Sequence, residues 1–141
     1  MSDEGVLDAS VVADYFFAGP GSTVALTVVR SETRWVAPDL IFAEFASVAT
    51  KFVRRGMVLE TAARDAVEQL PLLIDEVAPL IALAGPAYDL ALRHSFSVYD
   101  AFYLALALRR GIPLVTADAK LARRAVDLGM ANHVLLLSPE S

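Results

Sequence analysis

Very short apolar runs alternate along the chain with longer stretches in which apolar residues recur at helical spacing. Val6-Leu7 reads as a buried strand ending at Asp8. Ser10 to Phe17 reads as a helix closed by Gly19-Pro20-Gly21, and Ser22 to Val29 as a second helix despite its β-branched residues. Trp35-Val36-Ala37 is the second strand. Pro38 or Asp39 then opens a long helix that reaches Arg55 and is stopped by Gly56. Leu59 to Leu70 is amphipathic and ends before Pro71, and Leu72 to Val77 reads as a third strand. Pro79 to His94 is helical in pattern, with a kink expected at Gly85-Pro86. Ser97 to Arg110 is a helix ending at Gly111, Pro113 to Thr116 a strand, Lys120 to Leu128 a helix ending at Gly129, and Val134 to Leu137 a last strand. This alternation predicts an α/β fold, a parallel sheet with helices on both faces. In such sheets the site lies beyond the carboxyl ends of the strands. Asp8 and Asp118 both fall there.

Two further acids break the pattern. Apart from Asp100, the helix from Ser97 carries no charge before Arg109. A helix apolar all round is a buried one, so Asp100 is an acid at the mouth of a buried element. A capping box of Ser97 with Asp100 would also place it there. Glu44 shares a helix face with Leu40, Ile41, Ser47 and Val48. A lone buried carboxylate costs several kcal/mol unless paired, neutralised or bound to a metal. Lys51, two turns on, or an arginine elsewhere is an alternative partner. Asp8 and Asp118 are likewise placed to cap the helices that follow them.

Geometry joins Asp100 to Asp118. The helix from Asp100 to Arg110 spans ~15 Å, and the strand from Pro113 to Asp118 returns ~16 Å. Both carboxylates therefore end at one level. Four acids converging on one sheet edge repel each other unless a cation is present. With no cysteine in the chain and no histidine in the set, the donors favour a hard ion such as Mg²⁺ or Mn²⁺. Such an ion suits phosphodiester hydrolysis.

Composition narrows the reading. The 141 residues fit one domain, 1–141. The hydrophobic share of 56% supports a real core. Acids and Gly/Pro break every apolar stretch, so no membrane-spanning helix is expected. Met1-Ser2-Asp3-Glu4 has no positive region, so no secretory leader is expected. The absence of cysteine suits a reducing cytoplasm. A net charge of −5 is unusual for a partner of nucleic acid: either the partner is not a polyanion, or the acids gather where bound cations reverse the local charge, and a metal site eases the conflict in the second case.

Val-Leu-Asp8-Ala-Ser10, Ala-Pro-Asp-Leu through Ala-Glu44, Val-Tyr-Asp100-Ala-Phe-Tyr-Leu-Ala-Leu-Ala and Leu-Val-Thr116-Ala-Asp118 resemble the motifs of PIN domains. More narrowly, they resemble VapC-type toxins of bacterial toxin–antitoxin pairs. The resemblance implies a PIN-like three-layer α/β/α sandwich with a central, mostly parallel sheet. It implies an endoribonuclease dependent on Mg²⁺ or Mn²⁺. The family's acids fall on Asp8, Glu44, Asp100 and Asp118, with Thr116 and Ser10 at polar positions that support metal or water. It further implies a homodimer, an RNA substrate such as tRNA or rRNA, and a cognate antitoxin whose C-terminal segment occupies the groove.

Other residues take plainer roles. His94 and His133 share no ligand spacing and read as surface or helix-end residues. Tyr99, Phe102 and Tyr103 read as packing residues rather than base-stacking platforms. Two basic clusters, Lys51/Arg54/Arg55 and Lys120/Arg123/Arg124, are open to either helix-end or RNA-binding roles. A Mg²⁺-binding receiver domain and a catalytically silent interaction domain are the rival readings. The receiver would need paired acids after the first strand, whereas Asp8 is single.

Overall fold

The computed structural model describes residues 3–17, 19 and 21–137. Its elements run β1 (Glu4–Leu7), α1 (Ala9–Phe16), α2 (Ser22–Val29), β2 (Arg34–Pro38), α3 (Leu40–Arg54), α4 (Glu60–Leu73), β3 (Glu76–Ala78), α5 (Leu80–His94), α6 (Val98–Arg110), β4 (Leu114–Thr116) and α7 (Ala119–Asp127). A 3₁₀ turn, Ala131–His133, leads into β5 (Val134–Leu136). The strands are paired in the order β3-β2-β1-β4-β5, every pair parallel. The chain thus builds outward from β1 through β2 to β3, then crosses back to β4 and β5. Right-handed crossovers in opposite directions put the two sets of helices on opposite faces. The packing agrees: α1 meets α2 and α3, and α3 meets α4, while α5 lies on α6. The result is the α/β/α sandwich expected from the sequence.

The three central strands are apolar because both their faces are covered, whereas the edge strands β3 and β5 are partly exposed. Val6, Leu7, Val36, Ala37, Leu114 and Val115 are fully buried. Gly5 is dictated by its neighbour on β2, since a Cβ there would lie 2.9 Å from the Trp35 ring. Over one face, Phe17 stacks on Phe45 at 5.6 Å between ring centres, locking the end of α1 to α3. On the other face α6 is sunk into the core, with Ala101 and Tyr103 through Ala107 all buried. That is the buried helix its sequence predicted.

One proline reading needed correction, and a second proline lies inside the helix predicted around it. The helix expected to end before Pro71 runs on to Leu73. In the last turn a proline forfeits little more than one backbone bond. The third strand consequently starts late, at Glu76, and Leu72 is 83% exposed rather than part of a buried strand. Helix α5 also continues through Gly85-Pro86. Pro86 has no N–H for the carbonyl of Ala82, and the Arg109 guanidinium supplies the missing donor at 3.0 Å. The Gly19-Pro20-Gly21 stop expected after α1 lies partly outside the described residues, at Pro20. Among the described residues no helix is long and apolar enough to cross a membrane.

Candidate active site

The point where the strand order reverses lies between β1 and β4. Beyond their carboxyl ends the chain is free of the ladder, and a crevice opens there in sheets of this kind. Leu7 pairs with Val115 as the last rung, and the Asp8 N–H still donates to the Val115 carbonyl at 3.1 Å. Asp8 and Thr116 therefore emerge side by side.

A small hydrogen-bond lattice fixes Asp8. Its Oδ2 accepts from the Ser10 hydroxyl at 2.5 Å and from the Thr116 hydroxyl at 2.8 Å. Each hydroxyl oxygen is itself anchored: Ser10 Oγ accepts from the Ala117 N–H at 2.9 Å, and Thr116 Oγ1 from the Asp118 N–H at 3.0 Å. With its acceptor side occupied by a backbone donor, each hydroxyl turns its proton toward Asp8. Asp8 is only 7% exposed and Thr116 fully buried. Thr116 thus acts on Asp8 rather than facing the crevice.

The other acids arrive from three elements. Asp118 caps α7, its Oδ1 accepting from the N–H groups of Lys120 and Leu121 at 2.9 and 3.2 Å. Asp100 stands in the first turn of α6, where Ser97 is the cap and accepts from the Asp100 N–H at 3.1 Å. The capping readings of both residues therefore hold. They spend a backbone N–H or one oxygen and leave carboxylate oxygen over. Glu44, from α3, accepts from the Tyr103 hydroxyl at 2.6 Å. Tyr103 is fully buried, as a packing residue should be. It also serves the site, a role the sequence reading missed. Its position three residues after Asp100, on a buried helix with no other polar partner in sight, was the available signal.

Asp8, Glu44, Asp100 and Asp118 line one cavity of about 330 Å³ together with Ser10, Ser47 and Lys51. They stand around its walls. Among the described residues no three acidic or histidine side chains close on a single point as a ready-made ion cage, so the tight crowding expected from the sequence is looser in fact. Their fields still meet. Burial raises the Asp8 carboxyl, opposed by the Ser10 and Thr116 bonds, and Asp118 raises it further. Burial raises Glu44 against the pull of Tyr103, and Asp8 and Asp100 add to the rise. Asp100 is raised by burial, then by Asp8 and Asp118.

No lysine or arginine among the described residues forms a salt bridge with any of the four. The opposite edge of the sheet shows what pairing looks like in this protein. There Arg34 bridges Glu4 and Glu76, and Arg110 also holds Glu76. The two guanidinium groups pull the Glu76 carboxyl down to about 2. Among the described residues, then, acids at the amino edge are held in salt bridges and the four at the carboxyl edge are not.

The basic clusters divide. Lys51 lines the acidic cavity, whereas Arg54 lines a separate groove between α3 and α4. Lys120, Arg123 and Arg124 sit on exposed positions of α7. His94 ends α5 and His133 ends the 3₁₀ turn, and neither lines the cavity. Phe102 is half-buried, but Tyr99 is 57% exposed, so packing within the chain does not account for it.

Fold and site together define a parallel α/β domain with a cavity lined by four carboxylates at its topological switch point. The chain belongs to the PIN domain family, whose model matches residues 5–127. It is 36% identical over 124 residues to Ribonuclease VapC1 of Mycobacterium tuberculosis, spanning 85% of this chain and 90% of that protein. It is 33% identical over 124 residues to Ribonuclease VapC3 of Pyrobaculum aerophilum, spanning 84% and 92%. Among solved structures, PAE2754 of Pyrobaculum aerophilum superposes with a TM-score of 0.67 at 21% identity, over 86% of this chain and 78% of that one. VapC20 of Mycobacterium tuberculosis, a sarcin–ricin loop cleaving toxin, gives 0.65 at 20% identity, over 84% and 93%. A toxin–antitoxin complex from Klebsiella pneumoniae gives 0.64 at 17% identity, over 97% and 98%. The receiver reading is displaced: receivers order their strands 2-1-3-4-5, and this sheet does not.

Proposed function

We propose that this chain, acting as one domain, is a metal-dependent endoribonuclease and the toxin of a toxin–antitoxin pair. The observation that carries the reading is the set Asp8, Glu44, Asp100 and Asp118: four carboxylates on one cavity, none with a basic partner among the described residues. The ribonuclease names of its curated relatives support the reaction class. The Klebsiella complex supports an antitoxin partner.

The donor set fits a divalent cation. All its ligand atoms are oxygen; Asp8, Glu44 and Asp100 are raised first by burial and then by neighbouring carboxylates, and a cation would offset both. The wide spacing suits Mg²⁺ or Mn²⁺, since Mg²⁺ keeps several waters and uses only one or two carboxylates. When bound, the ion supplies Lewis acidity to the phosphate and lowers the pKa of an attacking water. The chain's own groups divide the remaining work. Ser10 and Thr116 hydrogen-bond Asp8 and oppose the rise that burial imposes on it. Asp100 and Asp118 offer carboxylate oxygen from two helix starts. Glu44, raised by burial and held in place by Tyr103, is placed to accept and return a proton. RNA, tRNA or rRNA by family resemblance, is the substrate, and its phosphates meet the acidic cavity through the cation.

Purified protein is expected to cleave RNA with added Mg²⁺ or Mn²⁺ and not in excess chelator, and Asp100→Ala to lose the activity. Cleavage indifferent to chelator, or full activity in the variant, would reject the assignment. No cleavage under any metal, with no metal uptake by calorimetry, would instead mark a silent PIN-fold interaction domain.

A further inference from the structure

Helix α7 begins at the rim of the acidic cavity, since Asp118, its N-cap, lines that cavity. Its buried residues are Leu121, Ala122 and Ala125. At 100° per residue, the direction opposite to them is occupied by Lys120, Arg123, Arg124 and Asp127, all exposed. Three cations thus share one face of a nine-residue helix in a chain whose net charge is −5. Among the described residues none of the three forms a salt bridge. Lys120 meets Asp118 through its backbone N–H, not its ammonium group.

The order of charge along α7 is an independent observation. Lys120 stands in the first turn, and Asp127 is the last residue. Helix ends favour the reverse, anions first and cations last, and Arg124 alone follows that rule. Helix stability would be better served with the two signs exchanged. Ion pairing with the cavity acids does not account for the cations either, because no described salt bridge joins them. Positive charge is therefore gathered toward the cavity end of α7 at some local cost.

We propose that this face of α7 holds the RNA backbone beside the cavity, with Lys120, Arg123 and Arg124 facing phosphates, and so sets where the strand enters the site. Four carboxylates repel a polyanion, and attraction has to come from the rim outside them. Lys120 and Arg124, four residues apart, are neighbours on the helix surface, and Arg123 lies alongside, so the three form one patch. Contacts of this kind position a strand without reading its bases. An acidic protein segment is the competing occupant. RNA is favoured because the patch runs directly into the candidate cleavage site at Asp118. The assignment rests on the nuclease reading and is tested by binding rather than by cleavage, so the two can fail separately.

Binding of two single-stranded RNAs of unrelated sequence, measured against salt in an Asp100→Ala background, tests it. Lys120→Gln, Arg123→Gln and Arg124→Gln combined are expected to weaken both RNAs alike, by about tenfold or more, and to lower the slope of log K against log salt by roughly 2, at ~0.7 for each phosphate contact. Lys120→Gln alone should lower it by ~0.7. Arg30→Gln, Arg54→Gln and Arg55→Gln combined remove the same charge from the ends of α2 and α3 and should leave the slope unchanged. With Asp100 intact, the α7 variant is expected to raise KM for RNA while metal affinity by calorimetry stays as in wild type. An α7 variant that loses no more RNA affinity than the α2/α3 control overturns the proposal. So does tighter metal binding with RNA binding kept, which would make the cations counterweights to the acids. Loss of polyglutamate binding with RNA binding kept would assign the face to an acidic protein and overturn it too. Wild-type cleavage alongside any of these results rejects α7 alone, whereas a wild-type chain that neither binds nor cleaves RNA rejects both readings.

Discussion

Tyr103 donates its phenolic proton to Glu44 across 2.6 Å, tying α6 to α3 at the rim of the acidic cavity. This bond holds the Glu44 pKa down against burial and two neighbouring acids. Tyr103→Phe keeps the buried ring and deletes the bond. The acid limb of the pH–rate profile is expected to move upward, and kcat at neutral pH to fall roughly tenfold, ~1.4 kcal/mol in the barrier. KM for RNA is expected to change little, and stability to fall by about 1 kcal/mol. A profile superimposable on wild type would leave Tyr103 a packing residue only.

Thr116 is the hinge of the Asp8 lattice. Thr116→Val preserves shape and removes both the donor to Asp8 and the acceptor for the Asp118 N–H. Denaturant melts are expected to show a loss of about 1–3 kcal/mol, the cost of buried polar groups left short of partners. Metal affinity measured by calorimetry is expected to drop ~10-fold or more, as for other groups that orient ligands. Thr116→Ser should restore both. A valine variant that binds metal as wild type does would remove Thr116 from the site.

Metal-free stability should respond to pH in two opposing ways. Asp8, Glu44 and Asp100 are raised in the folded state, so the fold binds their protons more tightly than the unfolded chain does. Their contribution to stability therefore grows as pH falls from neutral through the raised values toward the ordinary 3.8 and 4.5. Glu76, held at about 2, works in the other direction. Its contribution is complete above 4.5 and is lost as pH falls toward 2. Asp100→Asn is expected to raise the melting temperature at pH 7 without metal and to flatten the gain on mild acidification. A variant less stable than wild type at pH 7 would contradict the repulsion.

Among the described residues Lys51 is the one lysine or arginine lining the acidic cavity, and it is exposed and outside every salt bridge found there. If it meets a phosphate of the RNA, Lys51→Gln should weaken binding to a catalytically dead background and reduce the slope of log K against log salt by roughly 0.7 for single-stranded RNA. Arg54→Gln, on the neighbouring groove, should leave the slope alone. Equal slopes in wild type and Lys51→Gln would sink the assignment.

Much of this was legible because burial and charge conflict so openly. An acid set among Leu40, Ile41 and Val48, or opening a helix as apolar as α6, announces itself in one dimension. The strand ends at Asp8 and Asp118 follow from short apolar runs. What failed was local: Pro71 marks where a backbone bond is lost, but not where the helix stops. Tyr103 was hidden for a different reason. A buried tyrosine looks the same in sequence whether its hydroxyl meets a carbonyl or Glu44, and only the crossing of α6 past α3 decides.

Asp8 and Thr116 follow directly on Leu7 and Val115, the last rung of the ladder between β1 and β4. Side chains alternate along a strand, so sliding β4 by one residue would send Thr116 to the opposite face and strand Asp8 beside an aliphatic neighbour. The chemistry is thus set in phase by a backbone ladder, not by the outer helices. Adding or dropping one residue in the Gly111–Pro113 connection would disarm the protein while leaving its oily interior nearly as before.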